Sequence, residues 1–194
     1  MRRIWFVLAA LSMLLLSGCG GSASGVTPSP PPPPAPTEQS AAAWFQQGND
    51  YFTAGDLESA RQAYQRALEL DPGYVDAMTN LGVVYYQEGN LEQALSWFRK
   101  ALEIAPNDPI THYLMGAAYL QMGKLDDALA HFEKANSLDP QMPEPYYGLG
   151  VVYKLQGQRE KAIAAFEKFL EIGPGQDPRA MDEARRELKE LRGP

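Results

Sequence analysis

The chain has 194 residues, with 17 Lys and Arg against 24 Asp and Glu and a formal net charge of -7. This acidic balance, with basic side chains interleaved among acidic ones, excludes nucleic acid as a partner, because a polyanion is bound by a clustered basic surface. The single cysteine excludes an intramolecular disulfide. About 150 residues follow the N-terminal low-complexity segments, which is enough for one globular domain.

The first 18 residues have the pattern of a signal peptide. Arg2 and Arg3 form a charged start, and Ile4–Leu16 is apolar except for Ser12. As a helix, this run covers about 20 Å, which is too short for the roughly 30 Å hydrocarbon core of a bilayer. We therefore expect residues 1–18 to be removed. Loss of the two arginines leaves 15 basic and 24 acidic side chains, a net charge of -9.

The residues around the expected cleavage site are Leu16-Ser17-Gly18-Cys19. This stretch resembles the lipobox of bacterial lipoproteins, in which a diacylglycerol is attached to the Cys thiol and the leader is cut just before that Cys. The resemblance implies that Cys19 carries a covalent lipid anchor, with fatty acyl chains such as palmitate, and that the new amino group is acylated. Two or three chains hold a protein on a bilayer for long periods. The alternative is an unmodified Cys after a leader.

The residue after the expected anchor is Gly20. In lipoproteins of bacteria with two membranes, an Asp at this position favours retention in the inner membrane. The resemblance therefore implies a membrane-anchored protein of the bacterial cell envelope. In a host with two membranes, we expect it in the outer membrane, facing the periplasm.

Residues 19–40 form the expected lipidated Cys and linker, because they lack apolar periodicity. Gly and Ser dominate the start, Thr27–Thr37 is Pro-rich, and Pro30–Pro34 is an unbroken run of proline. Such a run adopts polyproline II at about 3.1 Å per residue and acts as a semi-rigid spacer. The alternative is a ligand for a Pro-binding domain.

From residue 41 the chain repeats itself with a period of 34 residues. The recurring residues are Gly48, Gly82, Gly116 and Gly150; Tyr51, Tyr85, Tyr119 and Tyr153; Ala60, Ala94, Ala128 and Ala162; Tyr64, Phe98, Phe132 and Phe166; and Pro72, Pro106, Pro140 and Pro174. This pattern resembles the tetratricopeptide repeat, a helix A–turn–helix B unit. The resemblance covers about 70% of the chain as four repeats, at 41–74, 75–108, 109–142 and 143–176.

Each recurring slot has a physical reason. The small residues at the eighth and twentieth positions are expected where the backbones of helices A and B approach closely. The aromatic residues fill the space between helices in a unit too small to have its own core. A second set of glycines ends helix A in the left-handed conformation, and proline ends helix B. This second set is Gly55, Gly89, Gly123 and Gly157.

The fourth repeat departs from the pattern at two slots. Phe169 stands where the other repeats have Ala, and Arg159 stands where they have Leu. Residues 177–194 follow this repeat, and their apolar residues up to Leu191 recur at helical spacing, as expected of a capping helix. The predicted fold is an all-α, right-handed superhelical solenoid of four repeats and a C-terminal capping helix, nine helices in all. Helix A of each repeat is expected to line its concave face.

Catalytic and metal-binding patterns are missing from the sequence. The chain has two histidines, and its one Cys is expected to carry lipid. His112 occupies the slot that holds Trp44 in the first repeat, so we expect it to be packing material, and His131 belongs to a helix B. The glycines recur singly, not as a phosphate loop. We therefore predict no enzyme, no metal and no cofactor.

The resemblance implies that the second, fifth, ninth and twelfth positions of helix A face the concave groove, where a partner protein or peptide binds. From the last three positions, the groove residues are Phe45, Asn49, Phe52, Thr79, Val83, Tyr86, Tyr113, Ala117, Leu120, Tyr147, Val151 and Lys154. Aromatic side chains give large contact area at a small entropy cost, so this set favours an extended or helical apolar peptide. The alternative for Phe45, Tyr86 and Tyr113 is packing between neighbouring repeats.

One subgroup of these repeat proteins grips the C-terminal carboxylate of chaperones through Lys and Asn in the first repeats. This chain keeps Asn49 but has Phe45 where the Lys stands, and Thr79 and Val83 in the next repeat. We therefore exclude that ligand class.

The sequence predicts a non-catalytic adaptor or scaffold lipoprotein that binds another cell-envelope protein through the groove. The expected setting is assembly of an envelope complex of the pilus, secretion or outer-membrane biogenesis type. The alternative is a structural envelope protein whose repeats stack on their own copies. A cell-wall hydrolase fits the location but lacks the residues for it.

Overall fold

The computed structural model describes residues 40–173 and 178–193. The predicted signal peptide, Cys19 and the Pro-rich linker lie outside the described residues. Nine α-helices and no strand are present in the described part of the chain. In order they are α1 (Ala41–Thr53), α2 (Leu57–Leu70), α3 (Val75–Gln87), α4 (Leu91–Ile104), α5 (Pro109–Gln121), α6 (Leu125–Leu138), α7 (Glu144–Leu155), α8 (Arg159–Ile172) and α9 (Pro178–Arg192).

The chain divides into two compact units, with the boundary at Pro72 and Gly73. In the first unit α1 packs against α2. In the second unit α3 packs against α4, α5 against α6 and α7 against α8, and each of α4 and α6 also contacts the helix that follows it. The A helices α3, α5 and α7 contact one another in sequence, and α9 packs on α8. The predicted all-α fold of helix-turn-helix repeats with a capping helix is confirmed.

The turn between helices A and B is the same in all four repeats. Its glycine has φ of +79° at Gly55, +78° at Gly89, +72° at Gly123 and +72° at Gly157. These are left-handed values that a side chain disfavours, so the predicted role of this glycine in ending helix A is confirmed. The next residue closes the turn, as when the Asp56 amide donates to the Tyr51 carbonyl at 3.0 Å.

The glycine at the eighth position of helix A faces an aromatic ring of helix B. A Cβ placed on Gly82 would lie 2.5 Å from Phe98 Cε1, and one on Gly48 would lie 2.5 Å from Tyr64 Cε1. The expectation that two backbones meet at this glycine was therefore wrong. The aromatic ring of the twenty-fourth residue packs directly against the glycine, in the space that a side chain at that position would occupy.

Two substitutions that set the fourth repeat apart both meet α9. Phe169 is 1% exposed and packs in one cluster with Met181, Ala184 and Leu188 of α9. The Arg159 Nε donates to the Leu191 carbonyl near the end of the same helix. The capping helix therefore contacts both the larger apolar residue and the added charge. This agrees with the sequence prediction that the fourth repeat has a different neighbour.

No helix in the described ranges is long and apolar enough to cross a membrane.

We predict that Gly82→Ala destabilises the fold by about 1–3 kcal/mol, even though Ala is the better helix former. The added methyl group must displace the buried Phe98 ring. The free energy of unfolding in urea measures the effect. Ser96→Ala, on the exposed side of α4, is the matched control and should leave stability within about 0.5 kcal/mol. Equal stability of Gly82→Ala and the native chain would contradict the ring contact.

A second prediction concerns backbone strain alone, without a change in side-chain contacts. Gly89→Ala should cost about 1 kcal/mol, because φ is +78° while a Cβ there meets no atom within 4 Å. Gly89→Asn should cost less, since Asn tolerates the left-handed region better than Ala. Thermal unfolding of both variants tests this order, and the reverse order would show that another interaction controls the turn.

Candidate functional site

The groove residues of the first repeat are organised by one tyrosine of α2. Phe45, Asn49 and Phe52 recur at intervals of four and three residues, so they follow one face of α1. The Phe45 ring centroid lies 5.8 Å from that of Tyr64, and the Tyr64 hydroxyl donates to Asn49 Oδ1 at 2.8 Å. Phe52 is 9% exposed. In the first unit this face is therefore tied to the repeat's own helix B.

In the second and third repeats, most of the predicted groove residues are buried. This group, with Leu120 the partly exposed exception, is Thr79, Val83, Tyr86, Tyr113 and Ala117. The Thr79 and Thr111 hydroxyls lie 3.2 Å apart and join α3 to α5. Tyr113 is only 2% exposed. For Tyr113 the structure favours the packing interpretation that the sequence left open, and its role in binding stays a prediction.

Glu144 is a residue of this face that the sequence analysis missed. Both of its carboxylate oxygens are buried and have no hydrogen-bond partner among the described residues, and the same holds for the Tyr113 hydroxyl. Burial raises the pKa of Glu144, and burial together with Glu144 raises the pKa of Tyr113. Glu144 is the first residue of α7 and the second residue of its repeat, one of the groove positions. A carboxylate at that slot was the signal available in the sequence.

In the fourth repeat the predicted groove residues contact the chain's own capping helix, α9. The Tyr147 hydroxyl donates to Glu183 Oε2 at 3.0 Å. Lys154 Nζ forms ion pairs with Glu187 and, at 3.4 Å, with Glu190. Val151 packs against the apolar cluster that α9 shares with α8. This section of the predicted groove is therefore occupied by α9.

These contacts also shift the protonation of the two polar groove residues. The hydrogen bond to Glu187 is the main cause that raises the pKa of Lys154. Burial, followed by the charge of Glu183, raises the pKa of Tyr147. Both residues stay in their ordinary protonation states near neutral pH, a charged ammonium and a neutral phenol.

A surface cavity of about 380 Å³ lies beside this contact. Its lining consists of Lys154, Gly157, Arg159, Glu190, Leu191 and Gly193. The two cationic side chains are engaged with α9, Lys154 with carboxylates and Arg159 with a carbonyl. Within the described ranges, no three His, Cys, Asp or Glu side chains are placed to hold a metal ion. The cavity therefore lies along the contact between α9 and the fourth repeat.

Comparisons with known proteins agree with this architecture. The chain is similar to the crystal structure of MamA, at 27% identity over 78% of this chain and 89% of that one, with a TM-score of 0.64. It is similar to PilF of Pseudomonas aeruginosa, at 25% identity over 78% and 67% of the two chains, with a TM-score of 0.70.

A thermophilic TPR protein of Thermus thermophilus shares the fold. The identity is 22%, the coverage is 78% of this chain and 81% of that one, and the TM-score is 0.66. No protein of curated function matches the chain in sequence.

Family models cover the whole repeated part of the chain. Models described as tetratricopeptide repeat match residues 40–109, 97–130 and 143–176, and one described as TPR repeat matches residues 118–157. These segments overlap and together span residues 40–176, so the chain belongs to the tetratricopeptide repeat family.

Proposed function

We propose that the protein is a lipid-anchored, non-catalytic adaptor of the bacterial cell envelope that binds an apolar segment of another envelope protein. Its expected setting is assembly of a pilus, secretion or outer-membrane biogenesis complex. The repeat fold and the likeness to MamA and PilF support a scaffold that binds proteins. The leader and the sequence around Cys19 support the anchor.

The observation that carries the binding role is the arrangement of helix A in the second unit. Because α3, α5 and α7 contact one another in sequence, residues of equivalent position come together on one surface. In the second and third repeats, we call the set Val83, Tyr86, Ala117 and Leu120 the apolar strip. It carries no ionised side chain and one class of polar group, the tyrosine hydroxyl. An apolar peptide with a few hydrogen-bonding groups is the complementary ligand.

The capping helix limits where that ligand can bind. In the fourth repeat the equivalent residues Tyr147, Val151 and Lys154 are engaged by α9. In the strip, Leu120 keeps part of its surface exposed. We therefore propose that, within the second unit, the partner contacts the second and third repeats, with Leu120 at the accessible edge.

The anchor is tested by substitution at two neighbouring positions. We expect Cys19→Ala to abolish incorporation of labelled palmitate and to release the protein from the membrane fraction, because the acyl chains supply the membrane affinity. Gly20→Asp should keep the lipid and, in a host with two membranes, move the protein to the inner-membrane fraction. Membrane association that survives Cys19→Ala would contradict the anchor.

The binding surface is tested by placing a charge on it. Leu120→Asp should remove the envelope protein that crosslinks to the native chain in its membrane, because a carboxylate in an apolar contact loses its hydration. Ile104→Asp is the matched control, since Ile104 is 51% exposed at the end of helix B. Crosslinking, affinity purification and mass spectrometry give the measurement, and thermal unfolding confirms that both variants fold.

Loss of the same protein in both variants, or in neither, would contradict the proposed surface. Recovery of only the protein itself, unchanged by Leu120→Asp, would favour self-association over the adaptor role.

A further inference from the structure

The two histidines of the chain lie side by side in the third repeat. His112 belongs to α5 and His131 to α6, and their Nδ1 atoms are 3.2 Å apart. The ring centroids are 5.4 Å apart with an interplanar angle of 32°. Both side chains are at least partly buried. The only imidazoles in the sequence therefore meet at one point between helices A and B.

The hydrogen bonds define which nitrogen of His112 carries its proton. His112 Nε2 lies 3.1 Å from the Pro106 carbonyl oxygen, which can only accept, so Nε2 carries the hydrogen. In a neutral ring, Nδ1 is then a lone pair directed at His131, whose Nδ1 donates to it. Donation from one ring nitrogen to a backbone carbonyl fixes the tautomer, and it is the outer contact that metal-binding histidines commonly make.

The groups around His131 come from α4, α5 and α6. Burial is the main cause that lowers the pKa of His131, and the neighbouring His112 acts in the same direction. Asp127, one helical turn earlier on α6, opposes this shift, while Arg99 adds to it. The Tyr119 ring stacks on His131 with centroids 5.4 Å apart.

The separation of the two nitrogens fits one edge of a coordination polyhedron. Two imidazole nitrogens bound to tetrahedral Zn²⁺ at 2.0–2.1 Å are about 3.3 Å from each other. The observed Nδ1–Nδ1 distance is 3.2 Å. Metal binding would replace the hydrogen bond between the rings, and both rings would turn so that their Nδ1 lone pairs meet at the ion. The His131 proton then moves from Nδ1 to Nε2 through solvent, with no net proton release.

We propose that His112 Nδ1 and His131 Nδ1 form a binding site for a divalent transition metal of the kind that prefers imidazole, Zn²⁺ or Cu²⁺. No third His, Cys, Asp or Glu of the described residues completes the set, so water fills the other positions. Asp127 supplies the nearby negative charge. This site departs from the sequence expectation that His112 is packing alone, and it is independent of the adaptor role.

The chain offers a clean test, because imidazole nitrogen can come only from His112 and His131. The probe is CuCl2, added in one equivalent to the full chain purified without a histidine tag. We expect an electron paramagnetic resonance spectrum with coupling to two imidazole nitrogens. Titration with ZnCl2 should show one ion per chain and an increase in the midpoint of thermal unfolding, because the metal binds the folded state.

Substitutions separate this site from adventitious binding. His131→Asn, on the less buried ring, should abolish the two-nitrogen coupling and weaken Zn²⁺ binding by well over the roughly 10-fold that loss of an outer partner costs. Ser137→Asn, at an exposed position of the same helix, is the matched control and should change neither.

Three results would overturn the proposal. They are a Cu²⁺ spectrum without imidazole coupling, an unchanged affinity for Zn²⁺ in His131→Asn, and a loss of Zn²⁺ affinity in Ser137→Asn equal to that in His131→Asn.

Discussion

The contact between a glycine of helix A and an aromatic ring of helix B is the interaction on which the rest of the structure depends. The ring covers the bare backbone at Gly48, Gly82, Gly116 and Gly150, so it sets how closely the two helices of a repeat approach. In the third repeat the same ring also reaches the next one, because a Cβ on Gly148 would lie 2.6 Å from Phe132 Cζ. One side chain thus joins a helix pair and links two repeats of the second unit. The aromatic slot therefore carries much of the burial that a 34-residue unit cannot supply alone.

The surface left for a partner follows from how each helix A is covered. In the second unit, helix B covers one side of helix A, and the next repeat covers another. In the fourth repeat no further helix A follows, and α9 contacts Tyr147, Val151 and Lys154 instead. In the second and third repeats, most of the equivalent residues are buried. The position of a residue on helix A therefore determines the direction of its side chain, whereas its exposure depends on the residues packed around it. Within the apolar strip, only Leu120 both lies at a groove position and stays partly exposed.

Local features were predictable from the sequence, and contacts between side chains of different helices were not. The 34-residue period predicts the repeats and the glycine turns, and helical spacing predicts the apolar face of α9, because each depends on residues close together in the chain. The sequence predicted a backbone contact at Gly82, where the structure has the Phe98 ring. A repeat period shows that a position needs a small residue, but not which atoms pack against it. The pairing of His112 with His131 joins residues 19 apart on two helices. Glu144 is buried near Tyr113 of α5, and neither feature leaves a repeated signature.

The polar contacts of α9 with the fourth repeat have a consequence for how copies of the chain could assemble. A solenoid grows by laying the next helix A on the last helix pair, and α9 already takes that place through Phe169, Tyr147 and Lys154. Its outer side presents charges of both signs, among them Asp182, Arg185, Arg186 and Lys189, all exposed. A second copy arriving at this end would meet a hydrated helix instead of an apolar template. End-to-end polymerisation at this end would first have to displace α9 from the fourth repeat.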